Sequence, residues 1–106
     1  MIWVQRSVDS LIGLPSDIAS AALFNILMAQ TVGLRPGEIT FQLGDTHIYS
    51  EHTMGLPAYF QQAASNTRPL PTWRLDTKAT VFNFEPEMFE VIDYTPKPAV
   101  NFKLIA

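Results

Sequence analysis

The sequence predicts an α+β domain in which helices pack on a mixed β-sheet, and three observations carry that prediction. Ile2, Trp3 and Val4 form an unbroken apolar run, as in strands covered on both faces. A long apolar stretch from Ile18 to Val32 follows, framed by Gly13-Leu14-Pro15 before it and Gly33 after it; this is the punctuation of a helix. From Glu38 to Tyr49, Ile39, Phe41 and Leu43 alternate with Thr40 and Gln42, the period of a half-buried strand.

Taken in order, the first strand spans Met1 to Ser7. It starts without a lead-in, which points to a late start codon or to a chain that has lost its first part. In the helix, Ile18, Ala21, Ala22, Phe24, Ile26, Leu27 and Met28 are too many for one narrow stripe, so most of its surface is expected to be buried. Ser16 or Asp17 is the expected N-cap, Gly33 the stop, and Pro36-Gly37 the turn beyond. Gly44 is expected to interrupt the second strand, and if the strand resumes, His47 and Tyr49 share a face. Glu51 to Ala64 reads as a second helix, weakened by Gly55 and Pro57, with room for its two ends to be separate turns. Arg68-Pro69-Leu70-Pro71 is an extended connector. Short strands are expected around Trp73 to Leu75 and Val91 to Asp93, Thr95 to Pro98 excludes regular structure, and the tail Ala99 to Ala106 is apolar enough to pack on something. Trp3, Trp73, Phe24 and the methionines are assigned to the core.

Composition narrows the function. With 106 residues, 47% apolar and 16% charged, the chain is one domain's worth with a modest core. Ten acidic against seven scattered basic residues argue against a nucleic-acid polymer as partner. No apolar run has membrane-spanning length and the N-terminus does not resemble a leader, so a soluble, cytoplasmic protein is the expectation. Cysteine is absent, which removes disulfides, thiolate metal sites and thiol nucleophiles together. The two histidines, with Asp9, Asp45 and Glu51, fit no trusted ligand spacing, and no metal is expected.

Chemistry concentrates between Gln5 and Gln30. A strand ending in Arg6, Ser7 and Asp9 delivers a guanidinium, a hydroxyl and a carboxylate to one end of a sheet, and Gly13-Leu14-Pro15 aims a helix start back at that end, with Asp17 close by. A guanidinium and a hydroxyl together satisfy several phosphate oxygens, so a small anionic ligand is expected there.

These residues also carry a resemblance. QRSVDSLIGLP followed by IAS, then GDTHIYSEH, then RPLP, a Pro-x-Pro segment and an apolar tail resemble, in order, the thymidylate synthase and deoxycytidylate hydroxymethylase family. The resemblance runs from about Ile2 to the last residue. It implies the C-terminal portion of a thymidylate synthase-like α+β fold, with residues 1–106 as its nucleotide-binding part, in a homodimer with sheets packed back to back. The implied activity is transfer of a one-carbon unit from 5,10-methylenetetrahydrofolate to C5 of a pyrimidine deoxynucleotide. The implied ligands are Arg6 and Ser7 for the 5′-phosphate, His47 and Tyr49 for the deoxyribose, and Gln5 and Ser20 near the base. Asp9 corresponds to the family acid beside the folate and its ordered water, Gly13 lies near the pterin, and Leu104 to Ala106 correspond to the tail that closes over the cofactor.

Two departures matter. Where most thymidylate synthases place Asn after Gly-Leu-Pro-x, this chain has Asp17, as the deoxycytidylate hydroxymethylases do. An Asn amide can donate to uracil O4 and accept from N3–H, whereas a carboxylate only accepts; facing the 4-amino group of cytosine it is paired, and facing uracil O4 it is opposed. A mismatch of buried polar groups costs roughly 1 to 3 kcal/mol per group, so dCMP is favoured over dUMP. The second departure is the missing cysteine that attacks C6 in the family. Its segment, with the partner-subunit arginines and a catalytic glutamate, lies upstream of the QRS strand. The chain is therefore expected to be the C-terminal part of such an enzyme, inactive alone, and to pair with itself or with a chain carrying the N-terminal part.

Each assignment has a structural competitor. Arg6 and Ser7 fit a surface ion pair, Asp17 an acid serving the helix cap and dipole, and His47 a satisfied core histidine, while His52 is read as structural. Three functions therefore stand side by side: a dCMP-type enzyme part, a thymidylate synthase acting on dUMP, and a non-catalytic protein using its sheet as an interaction surface.

Overall fold

The computed structural model describes residues 1–105. The first strand, β1, covers Ile2–Asp9, two residues further than expected, and runs parallel to β2, Thr40–His47. A parallel pair needs a long crossover, and helix α1, Gly13–Thr31, supplies it. A 3-10 segment, Ser50–Gly55, leads into helix α2, Leu56–Ala64, with Pro57 in its first turn, so Gly55 and Pro57 do divide this region. Strands β3, Thr72–Leu75, and β4, Phe89–Ile92, pair antiparallel in a second two-stranded sheet. The organisation is α+β, with the parallel and antiparallel pairings in separate sheets.

Helix α1 begins earlier than the sequence reading placed it, and neither Ser16 nor Asp17 caps it. Gly13-Leu14-Pro15 forms its first turn, where proline is tolerated because its missing N–H would have no partner. The cap position, Ile12, makes no side-chain cap. Instead Asp9, at the end of β1, accepts from the backbone N–H groups of Leu11 at 2.9 Å and Ile12 at 3.4 Å. The other end is as expected: Gly33 adopts φ +72°, its N–H bonds Gln30 and that of Leu34 bonds Ala29, the paired closure that a left-handed residue permits.

The core sits under the C-terminal half of α1. Leu27 packs with Leu75 and Ala79, flanked by Leu23, Ile26, Phe84 and Met88. Gln30 Nε2 donates to the carbonyls of Asp76 and Ala79 at 2.9 and 2.6 Å, pinning the segment after β3 to the helix. The expected burial of α1 and β1 does not materialise. Of α1 only Ala21, Leu27 and Ala29 are buried, while Ile18, Phe24 and Met28 are exposed. On β1, Ile2 is 66% and Val4 74% exposed, so the N-terminal part of one face is bare, while Val8 further along that face is buried. Trp73, Met1 and Met54 are likewise exposed, against their assignment to the core. The reason is geometric: nothing in the described chain lies over these faces. The radius of gyration, 16.1 Å, against about 13 Å for a filled domain of this length, reports the same openness.

Gly44 does not interrupt β2. It faces Arg6 across the ladder, between the pairs Gln5–Leu43 and Ser7–Asp45, and a Cβ there would come 2.6 Å from the Arg6 carbonyl oxygen. Glycine is required by the close approach of two backbones. Gly44→Ala is expected to lower the unfolding free energy by about 1 to 3 kcal/mol, seen as a lower denaturant midpoint with an unchanged slope.

Candidate functional site

Because β1 and β2 are parallel, their carboxyl ends fall at one edge, Asp9 opposite His47. The Ser10 backbone N–H and Oγ both donate to the His47 carbonyl at 2.9 Å, which locks the two ends together. In open α/β sheets small ligands bind beyond the carboxyl ends of the parallel strands, which makes this edge the candidate site.

Pleating sorts the residues by parity. Trp3, Gln5, Ser7 and Asp9 are half-buried on one face of β1, and Ile2, Val4 and Arg6 are exposed on the other. The structure thus brings Gln5 and Asp17 together: Gln5 Nε2 donates to Asp17 Oδ2 at 2.6 Å. It also reveals a contact that the sequence reading missed, since Trp3 Nε1 donates to Gln5 Oε1 at 3.3 Å. The shared parity of positions 3 and 5 was the available signal. Gly13 sits between the two acids, with space at its Cβ position bounded by Asp9 Cβ at 3.8 Å and Asp17 Oδ2 at 3.9 Å.

Arg6 and Ser7, adjacent on a strand, point to opposite faces. Arg6 is exposed, and its guanidinium has no partner among the described residues. Ser7 Oγ reaches Asp45 Oδ2 at 3.4 Å, and Asp45 in turn lies 3.7 Å from His47 Nδ1. Asp45 was not expected at this edge as a ligand-site neighbour; its register opposite Ser7 places it there. Asp9 commits Oδ1 to the turn before α1. Asp17 lies beyond the first turn of α1, which contains no acid, so the cap reading of this residue does not hold. Ser20 is exposed on α1.

His47 and Tyr49 meet edge to face, ring centroids 5.1 Å apart, although Tyr49 lies beyond the end of β2. Tyr49 then contacts His52 at 5.7 Å, and His52 contacts Phe102 at 5.3 Å. The structural reading of His52 holds: it is 1% exposed and its Nε2 donates to the Lys103 carbonyl at 2.7 Å, tying the tail to the strand end. Of the expected tail residues, Leu104 is exposed and Ala106 lies outside the described residues.

A groove of about 740 Å³ between α2 and residues 94–99 is separate from this edge. Its cations are already committed, Arg68 to the Thr95 carbonyl and Lys97 Nζ to the Gln62 carbonyl at 2.9 Å and Ser65 Oγ at 2.8 Å.

The chain is an α+β unit with a polar edge where its two parallel strands end. Its particular family is given by sequence comparison: the family model described as thymidylate synthase matches residues 1–106, and the chain belongs to the thymidylate synthase family. That family transfers a one-carbon unit to C5 of a pyrimidine nucleotide, using methylenetetrahydrofolate. No helix among the described residues is long and apolar enough to cross a membrane.

One titration follows from the loop after β2. The carboxyl of Glu51 is held below the usual glutamate range by its own backbone N–H and then by the Ser50 hydroxyl, which donates at 2.9 Å, with His52 adding a smaller pull. A folded value below the unfolded one favours folding above the ordinary glutamate pKa, and the contribution is lost as pH falls through the folded value. NMR titration of the Glu51 carboxyl is expected to show the depressed value, and Ser50→Ala to raise it.

Proposed function

We propose that this chain is the nucleotide-binding part of a folate-dependent pyrimidine C5 transferase of the deoxycytidylate hydroxymethylase type. The observation that carries the reading is the 2.6 Å hydrogen bond from Gln5 to Asp17 Oδ2. It holds a carboxylate at the strand-helix edge with Oδ1 left to accept from a ligand. A carboxylate with no proton to give suits the 4-amino group of cytosine and opposes O4 of uracil. Removal of the cap reading supports the same conclusion, because Asp17 is placed where it serves no helix end.

The other roles are those that the family resemblance implies. Arg6, which has no partner among the described residues, and Ser7 take the 5′-phosphate, which requires the long Arg6 side chain to reach round to the Ser7 face; His47 and Tyr49 take the deoxyribose, and Gln5 supports the base. Asp9 has a second oxygen free of bonds among the described residues, which fits a donor edge of the pterin, and Gly13 leaves room beside it. Ala106 is assigned to the tail over the cofactor. Methylenetetrahydrofolate, when bound, supplies the one-carbon unit. The thiolate that the reaction requires is absent from the 106 residues, so this chain needs a cysteine from another polypeptide segment to turn over.

The bare part of this β1 face, with Ile2 and Val4 outward, is assigned to pairing with a second copy or with a chain carrying the N-terminal part. Light scattering is expected to give a mass of at least two chains; a mass of one chain contradicts the pairing.

Calorimetric titration with dCMP and dUMP tests the substrate. A preference for dCMP of about tenfold or more is expected, and Asp17→Asn is expected to shift it towards dUMP. Preference of the unmodified protein for dUMP identifies a thymidylate synthase, and binding of neither nucleotide identifies a non-catalytic protein.

A further inference from the structure

We infer that Trp3 is a specificity-determining residue that acts on the base through Gln5 and Asp17, an inference that rests on the reading of Asp17 as the base acceptor. The three side chains form one directed chain: Trp3 Nε1–H donates to Gln5 Oε1 at 3.3 Å, and Gln5 Nε2–H donates to Asp17 Oδ2 at 2.6 Å. An indole only donates and a carboxylate only accepts, so the amide between them has one possible orientation. Its carbonyl faces Trp3 and its amino group faces Asp17.

A glutamine is otherwise ambivalent. Free to turn, its amide can offer a donor to uracil O4 and an acceptor to N3–H, the very pairing that an Asn at position 17 would provide. Trp3 removes that freedom. With Oε1 occupied, the amide presents only N–H groups to the acid, and Asp17 Oδ1 remains the acceptor at the edge. Both side chains are also ordered before a ligand arrives, which lowers the entropy lost on binding. The indole is itself braced: Phe41, its register partner on β2, packs against it with ring centroids 6.4 Å apart. On this reading Trp3 acts without touching the ligand. It is a positioning residue, and its effect is on the ratio of affinities.

Trp3→Phe keeps the ring against Phe41 and deletes the donor. The loss of one hydrogen bond corresponds to roughly a two- to twelvefold change. Calorimetry with Trp3→Phe is expected to show dCMP binding weakened by about that factor, with dUMP binding unchanged or tightened, so that the dCMP/dUMP ratio falls. Equal weakening of both nucleotides means a packing role only and overturns the inference, as does an unchanged ratio. Asp17→Asn, measured in parallel, separates the two readings. If it leaves the ratio where it was, base reading by Asp17 fails and this inference with it; if it collapses the ratio while Trp3→Phe does not, the relay alone is overturned. Should Trp3→Phe not fold, the unmodified protein still decides. In a nitrogen-15 NMR titration with dCMP, the Trp3 indole and Gln5 side-chain amide resonances are expected to shift together, and a Gln5 shift without Trp3 overturns the relay.

Discussion

The parallel pairing of β1 with β2 is the constraint on which the rest depends. It fixes Asp9 opposite His47 and Ser7 opposite Asp45, and it obliges the chain to cross over through α1 before the second strand can pair. The crossover returns the start of the helix to the edge at which the strands end. Asp9 makes the connection short: its carboxylate serves the backbone of Leu11 and Ile12, so the strand passes into the helix within three residues. Gly44 lets the two backbones close to a distance that no side chain would permit. Ser7, Asp9, Gly13, Asp17 and His47 then fall at or next to that edge because of register and parity.

What the sequence makes legible is what depends on local rules. Alternation placed β2, Gly33 ended α1 through its positive φ, and Gly55 with Pro57 split the segment after β2. The start of α1 was misread because its cap comes from a strand residue, Asp9, rather than from a serine or aspartate immediately ahead of the apolar run. Burial was misread for a different reason. An apolar side chain states a preference for cover, and Phe24, Trp73 and Val4 state it clearly, but the cover must come from some other surface, and none among the described residues provides it. Size assigns Trp3 to the core, yet it is half-buried, and its indole N–H must then find an acceptor.

Contact between the site and the tail runs through rings. His47, Tyr49, His52 and Phe102 touch in sequence, and Tyr59 meets Phe102 from α2 at 6.1 Å. His52 Nε2 donates to the Lys103 carbonyl, and its Nδ1 is buried with no partner among the described residues. A buried polar atom left unpaired is costly. The Nε2 bond fixes where the last described residues leave the body, and Gly55 makes the room, since a Cβ there would come 2.6 Å from the Phe102 ring.

The openness of the chain and the state of its candidate phosphate ligand have one origin. Arg6 shares its face of β1 with Ile2, Val4 and Val8; Val8 is buried, and the other three are exposed because nothing among the described residues covers their end of that face. Whatever buries the two exposed apolar side chains must also come up against the guanidinium, and burying an unpaired guanidinium is strongly unfavourable. A cover that is wholly apolar is therefore excluded at the Arg6 end. On the pairing proposed above, the covering chain would have to leave Arg6 a route to the strand edge or supply an acid to it, and only the first leaves the cation for an anionic ligand. On the function proposed above, covering the sheet and completing the phosphate site are then parts of one event, with the direction taken by Arg6 as the link between them.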